Sequence, residues 1–102
     1  MIDTGADITA ISPKVAKQLG LKPTGKVPVR VPTGTGATNV YINDVVIPFG
    51  SSNLGGVAHW IQNLQVMEFN GQNPNYEGLL GRDIICQGTL TVGFDCRLVF
   101  CL

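Results

Sequence analysis

The sequence predicts one small all-β domain, closed on itself, with one or two short helices. The chain has 102 residues, which is the length of a single domain. Its 13 glycines and 6 prolines divide it into brief segments, which favours strands over long helices. Short runs rich in β-branched and other apolar residues lie between the turn residues, as in closed all-β domains. These runs are residues 27–31, 40–42, 45–47, 57–61, 64–66, 89–92 and 98–102.

Two segments carry helix signals. Ser12 suits an N-cap, Pro13 suits the first helical position, and Gly20 suits the end of a helix. Between Pro13 and Gly20 the apolar residues follow helical spacing and form one stripe. A second, shorter helical turn is predicted over residues 82–87 and ends at Gly88.

The charge balance excludes several classes of partner. Seven Lys and Arg residues against seven Asp and Glu residues leave a net charge of zero, which argues against nucleic acids and membrane surfaces. Only 14% of the residues are charged and 44% are hydrophobic, which excludes disorder and suggests that a partner chain covers apolar surface. The sequence has no apolar run of the roughly 18 residues that a membrane span requires.

The cysteines indicate neither disulfides nor a metal site. Cys86, Cys96 and Cys101 are odd in number and lack a CxxC spacing, and together with His59 they match no common zinc pattern. We interpret them as reduced, partly buried thiols of a cytoplasmic protein. Trp60 is predicted to lie in the core, with an aromatic subsite or a dimer contact as the alternative, and His59 beside it to face solvent from the opposite side of the strand.

The chain opens on the motif that carries chemistry. Asp3 follows Ile2, which is interpreted as the buried end of a strand, and a carboxylate in such a place requires partners. Thr4 offers a hydroxyl, and Gly5 lets neighbouring backbone come close. Two such carboxylates face to face share one proton, so that one activates a water and the other polarises a carbonyl. The alternative is an ordinary turn Asp that caps the loop before the helix.

A second motif follows about 75 residues later and favours the catalytic interpretation of Asp3 over the turn interpretation. Residues 78–85 read Gly-Leu-Leu-Gly-Arg-Asp-Ile-Ile, a strand that runs into a short helix. With both motifs in this order, the sequence resembles the retropepsin family, the single-domain aspartic proteases of retroviruses and their relatives, over essentially its whole length. The resemblance implies a small closed acid-protease barrel. It also implies a homodimer in which each chain contributes one Asp, and Asp-Thr-Gly occurs once here.

The resemblance assigns roles to the first loop. Asp3 is expected to be the catalytic carboxylate, with Thr4 and Gly5 in support. Thr4 would hydrogen-bond across the dyad to the other subunit, and Gly5 would present its carbonyl to the substrate. Ala6 and Asp7 are expected to line the cleft and bind the substrate main chain.

The resemblance also links the two motifs. Arg82 is expected to form a structural ion pair with Asp7 and so to tie the short helix to the catalytic loop, because a planar guanidinium suits a carboxylate. The alternative for Arg82 is a solvated helix residue. Leu79 is expected to form a subsite wall for substrate, with a plain core role as its alternative.

A glycine-bearing hairpin is predicted over residues 31–38. Its Gly-x-Gly lacks the following helix that phosphate-binding loops have. The resemblance implies a flap that closes over the peptide, with Thr33, Gly34, Thr35 and Gly36 binding substrate. An ordinary Gly-rich turn is the alternative.

The match departs from the family at the start of the chain. Retropepsins usually have a strand before the catalytic Asp, whereas this chain begins two residues before Asp3. We therefore expect residues 1–102 to form a retropepsin-like domain that lacks this strand, with residues 98–102 available for the dimer sheet.

Three functions remain open at this point. The first is a homodimeric aspartic endopeptidase that cleaves a peptide or polyprotein with no metal or cofactor. The second is a non-catalytic retropepsin-like domain that dimerises or binds peptides. The third is a small β-barrel module in which the Asp-Thr-Gly has no catalytic role.

Overall fold

The protein is mostly β, with two short helices. A computed structural model describes residues 1–31, 34–49, 57–69 and 75–102, and about half of these residues lie in strands. The mostly β class predicted from the sequence is therefore confirmed. In chain order the elements are β1 (Ala10–Ile11), α1 (Pro13–Gln18), β2 (Gly25–Val31), β3 (Gly34–Phe49), β4 (Val57–Glu68), β5 (Gly78–Leu79), α2 (Arg82–Ile85), β6 (Thr89–Val92) and β7 (Leu98–Cys101).

The strands form two sheets. The larger sheet has the order β2-β3-β4-β1-β5, in which β1 and β4 are parallel and the other pairs are antiparallel. Strands β6 and β7 pair with each other and with no other strand of the described residues. In the described ranges β2 is one edge of the larger sheet, residues 1–3 hydrogen-bond to the opposite edge at β5 and Leu80, and no closed barrel is found. Closure of the barrel therefore stays a prediction.

Strands β3 and β4 are longer than the sequence predicts. The runs 40–42 and 45–47 join in one strand, as do 57–61 and 64–66. Between Asn43 and Val45 the register shifts by a bulge, where Asn63 has a φ of 53° and its N–H donates to the Asp44 carboxylate at 3.0 Å. The polar residues that signal a turn here form a bulge within a continuous hairpin.

Helix α1 follows the capping signals of the sequence. The Ser12 hydroxyl accepts a hydrogen bond from the Val15 N–H at 3.1 Å, Pro13 opens the helix, and Gly20 has a φ of 65°. Helix α2 is shorter than predicted, because it ends at Ile85 with Cys86 as its C-cap. Both predicted helices are present.

The core of the described chain is small. Ile84 has a relative exposure of 0%, and α2 therefore anchors the second motif in the interior. The other buried apolar residues are Ala10, Ala16, Val40, Tyr41, Val66 and Ile85. Large apolar side chains also stand exposed, among them Ile42, Val46, Trp60, Val92, Phe94, Leu98 and Val99. One chain thus leaves much of its apolar surface uncovered, as its composition suggests.

The expected burial of Trp60 and of the cysteines is wrong, whereas the solvent-facing position expected for His59 is met only in part. Trp60 is 64% exposed, because it lies on the outer face of the hairpin opposite Val46. His59 is half-buried, and its Nε2 lies 3.1 Å from Oε1 of Gln87. All three cysteines are exposed.

In the described part of the chain, neither helix has the length and hydropathy to cross a bilayer.

Candidate active site

The Asp-Thr-Gly loop begins where the first strand-like contact of the chain ends. Ile2 forms a parallel bridge with Leu80, and the Asp3 N–H donates to the Leu80 carbonyl at 3.0 Å. The chain then turns, with the Ala6 N–H donating to the Asp3 carbonyl at 3.2 Å. The backbone of Asp3 is therefore held at both its N–H and its carbonyl.

The Asp3 side chain is held in the same loop. The Gly5 N–H donates to its Oδ1 at 2.9 Å. A Cβ on Gly5 would lie 3.3 Å from this oxygen, so glycine permits the close approach. Asp3 is half-buried, whereas Thr4 and Gly5 are exposed. The loop thus presents a carboxylate of fixed orientation at the surface of the chain.

The second motif braces this loop from behind. The Arg82 N–H donates to the Ala6 carbonyl at 2.8 Å, and the Asp83 N–H to the Asp7 carbonyl at 3.3 Å. Gly81 is required for this close packing, because a Cβ there would lie 2.5 Å from the Ile8 carbonyl carbon. Two segments distant in sequence therefore form one rigid unit around the candidate site.

Asp83 and Thr9 form the centre of this brace, and the sequence analysis missed both. Asp83 accepts hydrogen bonds from the Thr9 N–H at 2.9 Å, the Thr9 hydroxyl at 2.7 Å and its neighbour Ile84 N–H at 2.9 Å. The Thr9 hydroxyl oxygen in turn accepts from the Gly81 N–H at 3.0 Å. Membership of the second motif was the only sequence feature that pointed to Asp83. No local sequence feature points to Thr9, because its partners lie more than 70 residues away.

Arg82 and Asp7 form an ion pair across the two motifs. Their side chains are 54% and 76% exposed, so this pair stabilises the fold by only about 0.2–1 kcal/mol. The buried hydrogen bonds of Thr9 and Asp83 carry more of the attachment. The ion pair instead offsets the charge of Asp7 beside the site.

A second carboxylate anchors the start of α1 nearby. Glu77 accepts a hydrogen bond from the Ser12 hydroxyl at 2.6 Å and lies 3.5 Å from the Lys14 ammonium. The hydroxyl bond, and then the charge of Lys14, hold the pKa of Glu77 below its ordinary value. On β3, the hydrogen bond to Glu68 and burial raise the pKa of Tyr41.

A cavity of about 540 Å³ opens beside the loop. Its walls come from the three residues that follow Asp-Thr-Gly, from β2 and from two residues of β4: Ala6, Asp7, Ile8, Val27, Pro28, Val29, Arg30, Gln65 and Met67. Most of these side chains are apolar, as is usual for a ligand site. The free edge of β2 belongs to one wall, which suits an extended chain lying beside it.

Only some of the predicted substrate residues lie on this cavity. Ala6 and Asp7 are on its wall. Gly34, Thr35 and Gly36 are exposed on β3, outside the wall, and Gly34 has a φ of 141°. Leu79 is half-buried and pairs with Ala10 in the sheet. Thr33 lies outside the described residues.

The sequence analysis did not assign the β2 and β4 residues of the wall. Val27, Val29 and Arg30 were identified only as members of the strand run 27–31, in which apolar residues alternate with others. Their position on one wall depends on β2 lying across from residues 6–8, for which the sequence has no local signal. Within the described ranges, no three His, Cys, Asp or Glu side chains cluster as metal ligands would.

Comparison with known proteins identifies a family for this chain. A search of curated proteins finds no match. The profile of the aspartyl protease family matches residues 1–84, which include the Asp-Thr-Gly loop, the cavity wall and the brace. The chain therefore belongs to the aspartyl protease family, the peptidases whose carboxylates carry the reaction.

Proposed function

We propose that the protein is a retropepsin-type aspartic endopeptidase that acts as a homodimer, with residues 1–102 as its protease domain. The observation that carries the proposal is the single Asp-Thr-Gly of the chain, on a braced loop with Asp3 at the surface. Catalysis by this chemistry takes two carboxylates. A second copy of the loop, brought up to the first, supplies the other one.

In this mechanism the two Asp3 carboxylates share one proton and hold a water between them. The ionised carboxylate takes a proton from the water, and the water oxygen attacks the peptide carbonyl carbon. The protonated carboxyl gives its proton to the carbonyl oxygen, which forms a tetrahedral intermediate. That intermediate collapses when a proton passes to the leaving nitrogen and the C–N bond breaks.

The neighbouring residues hold the reactants. Thr4 is exposed on each loop and is proposed to hydrogen-bond to the partner's loop. The carbonyl of Gly5 and the residues Ala6 and Asp7 bind the substrate backbone. The hairpin of β2 and β3 acts as the flap over the peptide, with contacts from Thr33, Gly34, Thr35 and Gly36, and Leu79 forms a subsite wall.

The C-terminal hairpin is the proposed dimerisation surface. Four large apolar side chains stand exposed on it or in its turn: Val92, Phe94, Leu98 and Val99. In the described part of the chain the β6–β7 sheet has two strands and two free edges, and a sheet of two strands is marginally stable in water unless another surface covers it. Pairing with a second copy would cover these side chains and complete a barrel-like assembly.

Peptide hydrolysis tests the proposal directly. Wild-type protein is incubated with a peptide library at mildly acidic pH, and cleavage is followed by mass spectrometry. We expect cleavage that Asp3→Asn abolishes and that the control Asp44→Asn retains, since Asp44 is exposed at the β3–β4 bulge and an Asn oxygen can still accept the Asn63 N–H. Peptide binding without any cleavage would instead favour the non-catalytic alternative.

A mixing experiment tests the shared dyad. Subunits of wild type and Asp3→Asn are mixed so that they exchange at random. With a ninefold excess of the variant, the activity should fall to about one tenth, because most wild-type subunits then sit in mixed dimers. Unchanged activity would show that each chain acts alone and would refute the dimer.

A further inference from the structure

The charges on the cavity wall are not balanced. Two ionisable side chains line it, Asp7 and Arg30. The Asp7 carboxylate is paired with Arg82, which does not line the cavity. Arg30 is exposed, and in the part of the chain that the structure describes it has no ion pair or side-chain hydrogen bond. The wall therefore carries one uncompensated cation.

The remainder of the wall suits apolar side chains. Ile8, Val27, Val29 and Met67 contribute aliphatic or thioether groups. An apolar residue of a bound peptide would fill this part of the cavity and exclude water. An opposite charge placed at the edge of such a site is screened less than one in bulk solvent.

We propose that Arg30 selects peptides that carry an acidic residue next to an apolar one, by binding the acidic side chain at the edge of the cavity. This inference rests on the proposed peptidase function and names its substrate class. A guanidinium binds a carboxylate through two parallel hydrogen bonds, which gives direction as well as charge. Asp7 does not oppose the acid, because Arg82 offsets its charge.

Matched peptides measure the selection. Peptides that differ only by Glu or Gln are compared at each position flanking the scissile bond. We expect one position at which Glu raises kcat/KM about threefold to tenfold over Gln. The preference should weaken at high salt, because the pair is partly exposed.

Two variants assign the preference to Arg30. Arg30→Gln should remove it, and Arg30→Glu should reverse it in favour of Lys. Lys26→Gln is the matched control, because Lys26 is an exposed cation on the same strand but outside the wall; this variant should keep the wild-type ratio. Circular dichroism checks that each variant is folded.

The outcomes separate this inference from the proposed function. If peptides are cleaved but the Glu/Gln ratio stays below about twofold at every position, or persists in Arg30→Glu, the inference is overturned. If no peptide is cleaved, the peptidase proposal fails, and fluorescence anisotropy with labelled peptides then measures the charge preference as binding. Equal binding of Glu and Gln peptides would overturn the inference there as well.

Discussion

The two ends of the chain differ in how closely other parts of the same chain pack against them. The Asp-Thr-Gly loop is backed by the Gly81–Asp83 segment through buried and half-buried hydrogen bonds, and Ile84 beneath it is fully buried. Among the described residues the two strands of the C-terminal hairpin pair with each other alone, and Phe94 in its turn is fully exposed. Contacts within one chain therefore hold the loop in place, whereas the apolar surface of the hairpin is left for the proposed dimer to cover.

The largest expected effect lies at the closest backbone contact of the brace. Gly81→Ala would place a Cβ 2.5–2.8 Å from Ile8 and Thr9 backbone atoms, and the loop has to shift to admit it. We expect a loss of about 3 kcal/mol in the free energy of unfolding, measured by urea titration. Gly25→Ala is the control, since nothing lies within 4 Å of a Cβ there, and it should be nearly neutral.

The carboxylate of the brace comes next. Asp83→Ala would leave the N–H of the buried Thr9 without its acceptor, which costs about 2 kcal/mol in unfolding free energy. Asp95→Ala removes only exposed contacts with Arg97, an N–H hydrogen bond of 3.2 Å and an ion pair at 3.3 Å, and should lower the unfolding free energy by less than about 1 kcal/mol. If both variants lost a similar amount of unfolding free energy, the brace would be no more important for stability than the exposed hairpin turn, and the comparison of the two ends would be wrong.

A third substitution tests the exposed apolar surface of the C-terminal hairpin. Leu98→Lys places a charge on the proposed dimerisation surface, and the dimer dissociation constant should rise about tenfold or more. Leu19→Lys is the control, because Leu19 is also exposed but lies at the end of α1. Sedimentation equilibrium measures both variants. If Leu98→Lys dimerises like wild type, the hairpin is not the interface.

The smallest effect concerns acid stability. The pKa of Glu77 is lowered in the folded protein, so its ionised form stabilises the fold at pH values above its ordinary pKa. That contribution is lost as the pH falls through the lowered folded pKa. The difference in unfolding free energy between wild type and Glu77→Gln should therefore shrink below about pH 5. A difference that grows with acidity would contradict the assigned direction.

Local signals account for what the sequence could predict. The Gly and Pro spacing indicated the mostly β class, and Ser12, Pro13 and Gly20 located α1, because turns and caps depend on neighbouring residues. The two motifs that indicated the protease family are likewise short runs of neighbouring residues. Trp60 shows the limit, because alternation says that a strand has two faces but not which face the protein covers.

The sequence alone therefore determined the class of fold, the first helix and the residues of the Asp-Thr-Gly loop. The tertiary structure decided the rest: the Thr9–Asp83 brace, the joining of four runs into two long strands, and the place of Arg30 on the cavity wall. The physical reason is distance along the chain. Thr9 and Asp83 meet across 74 residues, and only the packing of α2 against the loop brings their polar groups together.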